Sequence, residues 1–121
     1  NQEWQVFQRT RETRQFDIAR DGWIADYLDP NTFLDLFQSV SLNNRPGWSN
    51  PKYTKLMERA NSDPDPQRRL ALLTEAEANL LDEMPVIPLY FNTQNFLVAP
   101  RVQGWRADRL WTRFYRGLSV E

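Results

Sequence analysis

The chain has 121 residues, of which 40% are apolar and 26% charged, a globular rather than a disordered composition. Fifteen basic and sixteen acidic residues leave a formal charge of −1, so no global positive field exists to hold nucleic acid or an anionic membrane. With neither Cys nor His, the chain can form no disulfide, thiolate zinc site, thiol nucleophile or imidazole base.

The opening Asn1-Gln2-Glu3-Trp4 has no initiator Met, basic n-region or apolar h-region. The chain therefore reads as a piece of something longer, with any export signal upstream or removed. No stretch approaches the roughly 18 apolar residues of a membrane span. Trp4, Phe7 and Thr10 recur at helical spacing and predict a short amphipathic helix over residues 1–12. Phe16 to Arg20 alternates apolar and polar, which predicts a strand running into a turn at Gly22. Asp29 can cap a helix with Pro30 at its first position and Phe33, Leu34, Leu36 and Phe37 as its buried stripe. Residues 39–51 read as a loop.

Asn50-Pro51 repeats the cap-then-proline pattern and opens a helix with Tyr53, Leu56, Met57 and Ala60 on one face. Asp63-Pro64-Asp65-Pro66 breaks and recaps the chain. The following helix should bury Leu70, Leu73, Ala76, Leu80 and Met84 and end before Pro85. Val86–Phe91 and Phe96–Ala99 predict two short strands around Asn92–Asn95, with the prolines at edges or ends. From Trp105 onward two readings stand. Arg106, Arg109, Arg113 and Arg116 recur at helical spacing opposite Leu110, Trp111, Phe114 and Leu118, whereas alternation and Gly117 favour an extended segment.

Arg11 and Arg20, with Trp23, Asp26 and Tyr27, are the most unusual local grouping. Arginine binds a carboxylate bidentately, aspartate accepts from an ammonium, and flanking aromatics exclude water, so such a set suits a zwitterion. The plainer reading makes Asp26 a turn cap and pairs Arg20 with Asp17 or Asp21 at the surface. Carboxylate pairs such as Asp26 with Asp29, or Asp63 with Asp65, lie too close to cap and turn chemistry to suggest catalysis, and no phosphate-binding glycine loop occurs. The chain is therefore not expected to be an enzyme, and no cofactor or metal is called for. An arginine-aromatic RNA-binding tail is opposed by the sixteen acidic residues.

Gly22-Trp23-Ile24-Ala25-Asp26-Tyr27-Leu28-Asp29-Pro30, preceded by Phe16-Asp17-Ile18-Ala19-Arg20, resembles a motif near the C-terminal end of the periplasmic oligopeptide-binding proteins, the receptors of peptide ABC importers. The opening Asn1–Trp4, the Ser41–Asn44 loop, Pro51-Lys52-Tyr53, the Gln67–Glu77 helix and Met84–Phe91 occur in the family's order, so the resemblance runs from residue 1 to about 100. It implies an α/β chain forming part of the C-terminal lobe of a type II periplasmic-binding-protein-like fold, a mixed sheet with flanking helices. Residues 1–100 would belong to the second ligand-binding lobe, and 101–121 would return toward the first.

The resemblance further implies binding of short peptides for delivery to a membrane permease outside the cytoplasm. Asp26 would receive the peptide's α-ammonium, and Trp23 and Ile24 would flank its backbone and first side-chain pocket. Arg20 and Arg11 would serve its carboxylate end, which favours an oligopeptide over a nickel or sugar ligand. Asn92 stands where relatives carry a tyrosine, which implies a changed preference for peptide length or side chain. A receptor-like sensor domain for another small ligand is the same-fold alternative. The apolar residues of the tail, Trp105, Leu110, Trp111 and Phe114, would pack on the first lobe, so the chain by itself is expected to self-associate.

Overall fold

The computed structural model describes residues 1–121. Helix α1 (Trp4–Glu12) starts where Glu3 turns its carboxylate onto the Gln5 and Val6 N–H groups, at 2.9 and 3.2 Å. Helix α2 (Asn31–Leu34) runs directly into a 3₁₀ turn (Asp35–Phe37), and Asp29 accepts from the Asn31 N–H at 2.9 Å. Helices α3 (Pro51–Ser62) and α4 (Pro66–Glu83) each carry proline at the first position, where the missing N–H has no helical partner to lose. Asn50 and Asp65 cap them through two backbone N–H groups each. At its other end α4 is stopped by Met84, whose left-handed φ of 51° precedes Pro85.

The core is the seam of the α3–α4 hairpin with α2 laid against it. It comprises Leu34, Tyr53, Leu56, Met57, Ala60, Leu72, Leu73, Ala76 and Leu80, with Phe37, Trp48 and Val86 packed on its rim. Ala60 and Ala76 are wholly buried, their small side chains letting the two helices approach closely. Tyr53 sits at the centre and donates its hydroxyl to the Leu34 carbonyl at 2.5 Å, joining α3 to α2. Burial, followed by the nearby Asp35 charge, raises the Tyr53 phenol far above its ordinary value, so it stays a neutral donor. The Trp48 ring meets Tyr53 edge-on at 4.9 Å, while its indole N–H donates to Glu83 at 2.7 Å. Buried Asn44 organises the 38–50 loop by donating to the Gln38 and Trp48 carbonyls and accepting from the Trp48 N–H.

The α1, α3 and α4 expectations hold, but the buried stripe of α4 is shifted. Leu72 takes a core place, whereas Leu70 is half exposed and Met84 lies beyond the helix end. Leu72, Leu73, Ala76 and Leu80 fall on one stripe of the helical wheel, and Leu70 sits at its margin. Likewise only Leu34 of the α2 stripe is buried; Phe33 is exposed, because the helix is too short to present a full face.

The strands expected at Phe16–Arg20, Val86–Phe91 and Phe96–Ala99 do not form. A strand is stabilised by a partner's ladder, and no backbone–backbone hydrogen bond joins residues 16–26 or 86–98 to any other segment. The only sheet is a two-residue antiparallel ribbon, β1 (Val102–Gln103) with β2 (Ser119–Val120), in the register Val102↔Val120 and Gln103↔Ser119. It is closed by Gly104 at φ 80°, where a Cβ would overlap the Gly117 carbonyl. Residues 105–118 are turns and extended chain rather than a helix, so the extended reading of the tail prevails. The whole is a helix-rich α/β chain with a small sheet, and none of its helices is long and apolar enough to cross a membrane.

Candidate functional site

Two groups of residues were expected to bind ligand, and the structure places them on different supports. Arg11, in the last turn of α1, and Arg20, on the extended segment after it, line one open groove of about 640 Å³ together with Phe7 and Phe16. Arg11 is buried, with its guanidinium 5.0 Å from the centre of the Phe7 ring and ion-paired to Asp21. Gln8 accepts from a second Arg11 nitrogen, and the buried Nε has no acceptor. Arg20 is exposed and donates to the Tyr90 hydroxyl at 3.0 Å, which ties the 16–24 segment to the 86–91 segment. Arg20 therefore pairs with neither Asp17 nor Asp21; the partner of Asp21 is Arg11.

Asp26 lies outside that groove on the turn leading into α2. Its backbone N–H donates to the Thr32 hydroxyl at 3.0 Å, which fixes the main chain. Its exposed carboxylate accepts no hydrogen bond and forms no ion pair, so it caps nothing. Trp23 and Ile24 precede it, each about half exposed, and Tyr27 follows with its hydroxyl accepting from Asn31 at 3.2 Å. Asn92 is exposed two residues beyond Tyr90, with no hydrogen-bond partner in the chain.

The support of the Asp26 turn is a pair that the sequence did not suggest. Arg69, in the first turn of α4, donates to both oxygens of Asp29 at 2.7 and 2.8 Å, a bidentate clamp holding the turn to the hairpin. Position 69 precedes Leu72 by three and so shares the inward stripe, a periodicity that could have flagged it. The Arg69 hydrogen bonds hold the Asp29 carboxyl below the ordinary carboxylate range, and Arg68 does the same for Asp63. Because these folded-state values are lowered, the stabilisation is complete above pH ~4 and is lost as pH falls through them. Replacing Arg69 by methionine is expected to cost about 1 kcal/mol at pH 7 and to flatten part of the acid loss. Urea midpoints at pH 7 and pH 3 measure both effects.

The remaining carboxylates of the proposed pairs have structural duties: Asp63 binds Arg68, and Asp65 caps α4. No group of His, Cys, Asp or Glu is arranged to hold a metal ion. The free Asp26 carboxylate next to half-exposed Trp23 and Ile24 and the groove lined by Arg11 and Arg20 are thus two separate features of the chain.

No family model matches the chain. Among curated proteins it is similar to the Escherichia coli periplasmic oligopeptide-binding protein OppA, 36% identical over 117 residues that make up 93% of this chain and 22% of that protein. Among solved structures it superposes on OppA of Burkholderia pseudomallei with a TM-score of 0.89 and 34% identity, covering all of this chain and 24% of that one. Haemophilus influenzae OppA in complex with the peptide RPPGFSPFR gives a TM-score of 0.84 at 32% identity, over 99% of this chain and 24% of that one. The chain spans about one-fifth of the length of the curated relatives it matches.

Proposed function

Because the chain belongs to the oligopeptide-binding proteins, family 5 of the solute-binding proteins with the type II periplasmic-binding-protein fold, we propose that it supplies part of a peptide-binding cleft outside the cytoplasm. The cleft takes up short peptides for delivery to the permease of an ABC importer. Residues 1–100 belong to the second lobe, and 101–121 return toward the first. Asp26 receives the peptide's α-ammonium, with Trp23 and Ile24 along the adjoining backbone and first side chain. Arg20 and Arg11 serve the carboxylate end, and the Asn92 amide, standing in place of a tyrosine hydroxyl, changes the preference for peptide length or side chain.

The observation that carries this reading is the free Asp26 carboxylate on a main chain held by Thr32 and by the Asp29–Arg69 clamp. An unpaired exposed carboxylate is available to an ammonium, and a fixed backbone lowers the ordering cost of meeting it. The catalytic alternative finds no such free acid–base pair, and the RNA-binding tail forms no basic helix.

A graft tests the reading. Residues 1–121 replace their counterpart in the H. influenzae receptor, folding is checked by circular dichroism, and RPPGFSPFR is titrated calorimetrically with a free or an acetylated N-terminus. The free peptide is expected to bind at least tenfold more tightly. Equal affinities, or a folded graft that binds neither form, would overturn the assignment.

A further inference from the structure

Asp21-Gly22 is the only Asp–Gly step in the chain; every other aspartate is followed by proline or by a residue with a larger side chain. Proline has no N–H, and any Cβ hinders approach to the nitrogen, so reaction between an aspartate side chain and the next amide is favoured at this step. The Asp21 carboxylate is held from both sides. One oxygen accepts from the Gly22 N–H at 2.8 Å, and the other is ion-paired to buried Arg11 of α1. The carboxyl carbon is one C–O bond from the first oxygen, which brings it close to the ~3–3.5 Å separation of a near-attack pair. Gly22 makes no backbone–backbone hydrogen bond, and outside its chain neighbours no atom lies within 4 Å of where its Cβ would stand. Its nitrogen is thus engaged only by the group it would attack.

We propose that Asp21-Gly22 is a site of spontaneous aspartate isomerisation in the folded chain. The Gly22 nitrogen gives up its proton and bonds to the side-chain carboxyl carbon of Asp21; the protonated carboxyl gives up its hydroxyl, and the two leave as one water. The five-membered imide then takes up a water. Opening of the bond from nitrogen to the side-chain carbonyl restores aspartate. Opening of the bond to the main-chain carbonyl leaves isoaspartate, with the chain routed through the side-chain carbons and no net change of mass. No oxidant or cofactor takes part, and every reacting group except water belongs to residues 21 and 22. Arg11 pairs with the charged carboxylate, which is the unreactive form, and also aims it at the nitrogen. These effects oppose each other, so the rate stays near that of the same residues in a short peptide. Isoaspartate at 21 lengthens the main chain between Arg20 and Trp23 by one carbon and moves the carboxylate off the position that pairs with Arg11. The inference does not depend on the peptide-binding reading.

A protease that cuts before aspartate but not before isoaspartate reads the change. Fresh chain should be cut ahead of Asp17, Asp21 and Asp26; after warm incubation at neutral pH, an uncut Asp17–Ala25 peptide of unchanged mass should accumulate. Its rate of appearance is expected to lie within tenfold of that in a synthetic peptide of residues 17–25 and to exceed the loss of cleavage at Asp17 or Asp26 at least tenfold. Gly22→Ala should slow it at least tenfold without loss of helical ellipticity, because the added Cβ meets no neighbour and Gly22 is not among the left-handed glycines. A folded chain that converts more than tenfold more slowly than the peptide overturns the proposal, since the fold then guards the step. So does a Gly22→Ala variant that converts as fast as the unmodified chain, the result expected if attack by this nitrogen is not the cause.

Discussion

Leu73→Ala is expected to lower the stability of the chain by about 3 kcal/mol, the usual cost of removing a buried leucine side chain where the surroundings cannot collapse into the space. Leu73 is 1% exposed, and the wholly buried Met57, Ala60 and Ala76 belong to the same cluster. With only nine residues in that cluster, few neighbours can shift to fill the void, and each lost contact is a large share of the total. Marginal stability of roughly 5–15 kcal/mol for ordinary domains makes such a loss visible as a shift of the whole unfolding transition. Urea titration followed by far-ultraviolet circular dichroism reads it from the midpoint. A change below about 1 kcal/mol, the range of a surface substitution, would mean that the α3–α4 seam is not the stabilising element.

Asp26→Asn in the grafted receptor is expected to weaken binding of RPPGFSPFR about 100-fold, which corresponds to about 2.7 kcal/mol. The substitution keeps the shape and the backbone N–H bond to Thr32 but removes the negative charge, so its effect isolates the charge-assisted bond to an ammonium. Closure of a second lobe over the ligand strengthens that bond by excluding water, which is why the effect belongs to the closed cleft rather than to the open face. With an N-acetylated peptide the same substitution should change affinity by less than threefold. If both peptides lose affinity equally, Asp26 acts on the shape of its turn rather than on the ammonium.

The parts of this fold that could be read in the sequence are those specified by neighbours in the chain. Proline after Asn50 and Asp65, a capping carboxylate or amide, and a 3.6-residue apolar period together define α3 and α4. These signals act within a few residues and need no knowledge of the rest of the molecule. The strands at 16–20 and 86–99 failed for the opposite reason. Their β-branched and aromatic residues record a preference for a sheet surface, but a sheet exists only where a partner supplies the other half of the ladder. Leu70 and Leu72 show a subtler limit, since both fit a loose helical stripe but only Leu72 falls on the one shared with Leu73, Ala76 and Leu80.

The candidate site divides in the same way. Arg11, Arg20, Trp23 and Asp26 stand out locally, and the reading of Asp26 as a cap is excluded by its free carboxylate. The partners Tyr90 for Arg20 and Arg69 for Asp29 lie 70 and 40 residues away, so no local spacing announces them. Asp21, the neighbour of Arg20 in the sequence, serves Arg11 instead, because α1 brings its last turn alongside the extended segment.

Pro64 between α3 and α4 and Pro66 at the first position of α4 also bear on how quickly the chain finds its structure. Only Asp63-Pro64-Asp65 separates the helices, so their seam can close with a small loss of chain entropy, and the prolines leave fewer turn conformations to search. Contacts of such short sequence separation form early, whereas the ties from Arg69 to Asp29 and from Tyr90 to Arg20 require much larger loops to close. The hairpin would thus be the nucleus on which the Asp26 turn is assembled afterwards, and the same order in reverse would release that turn while the helices remain paired.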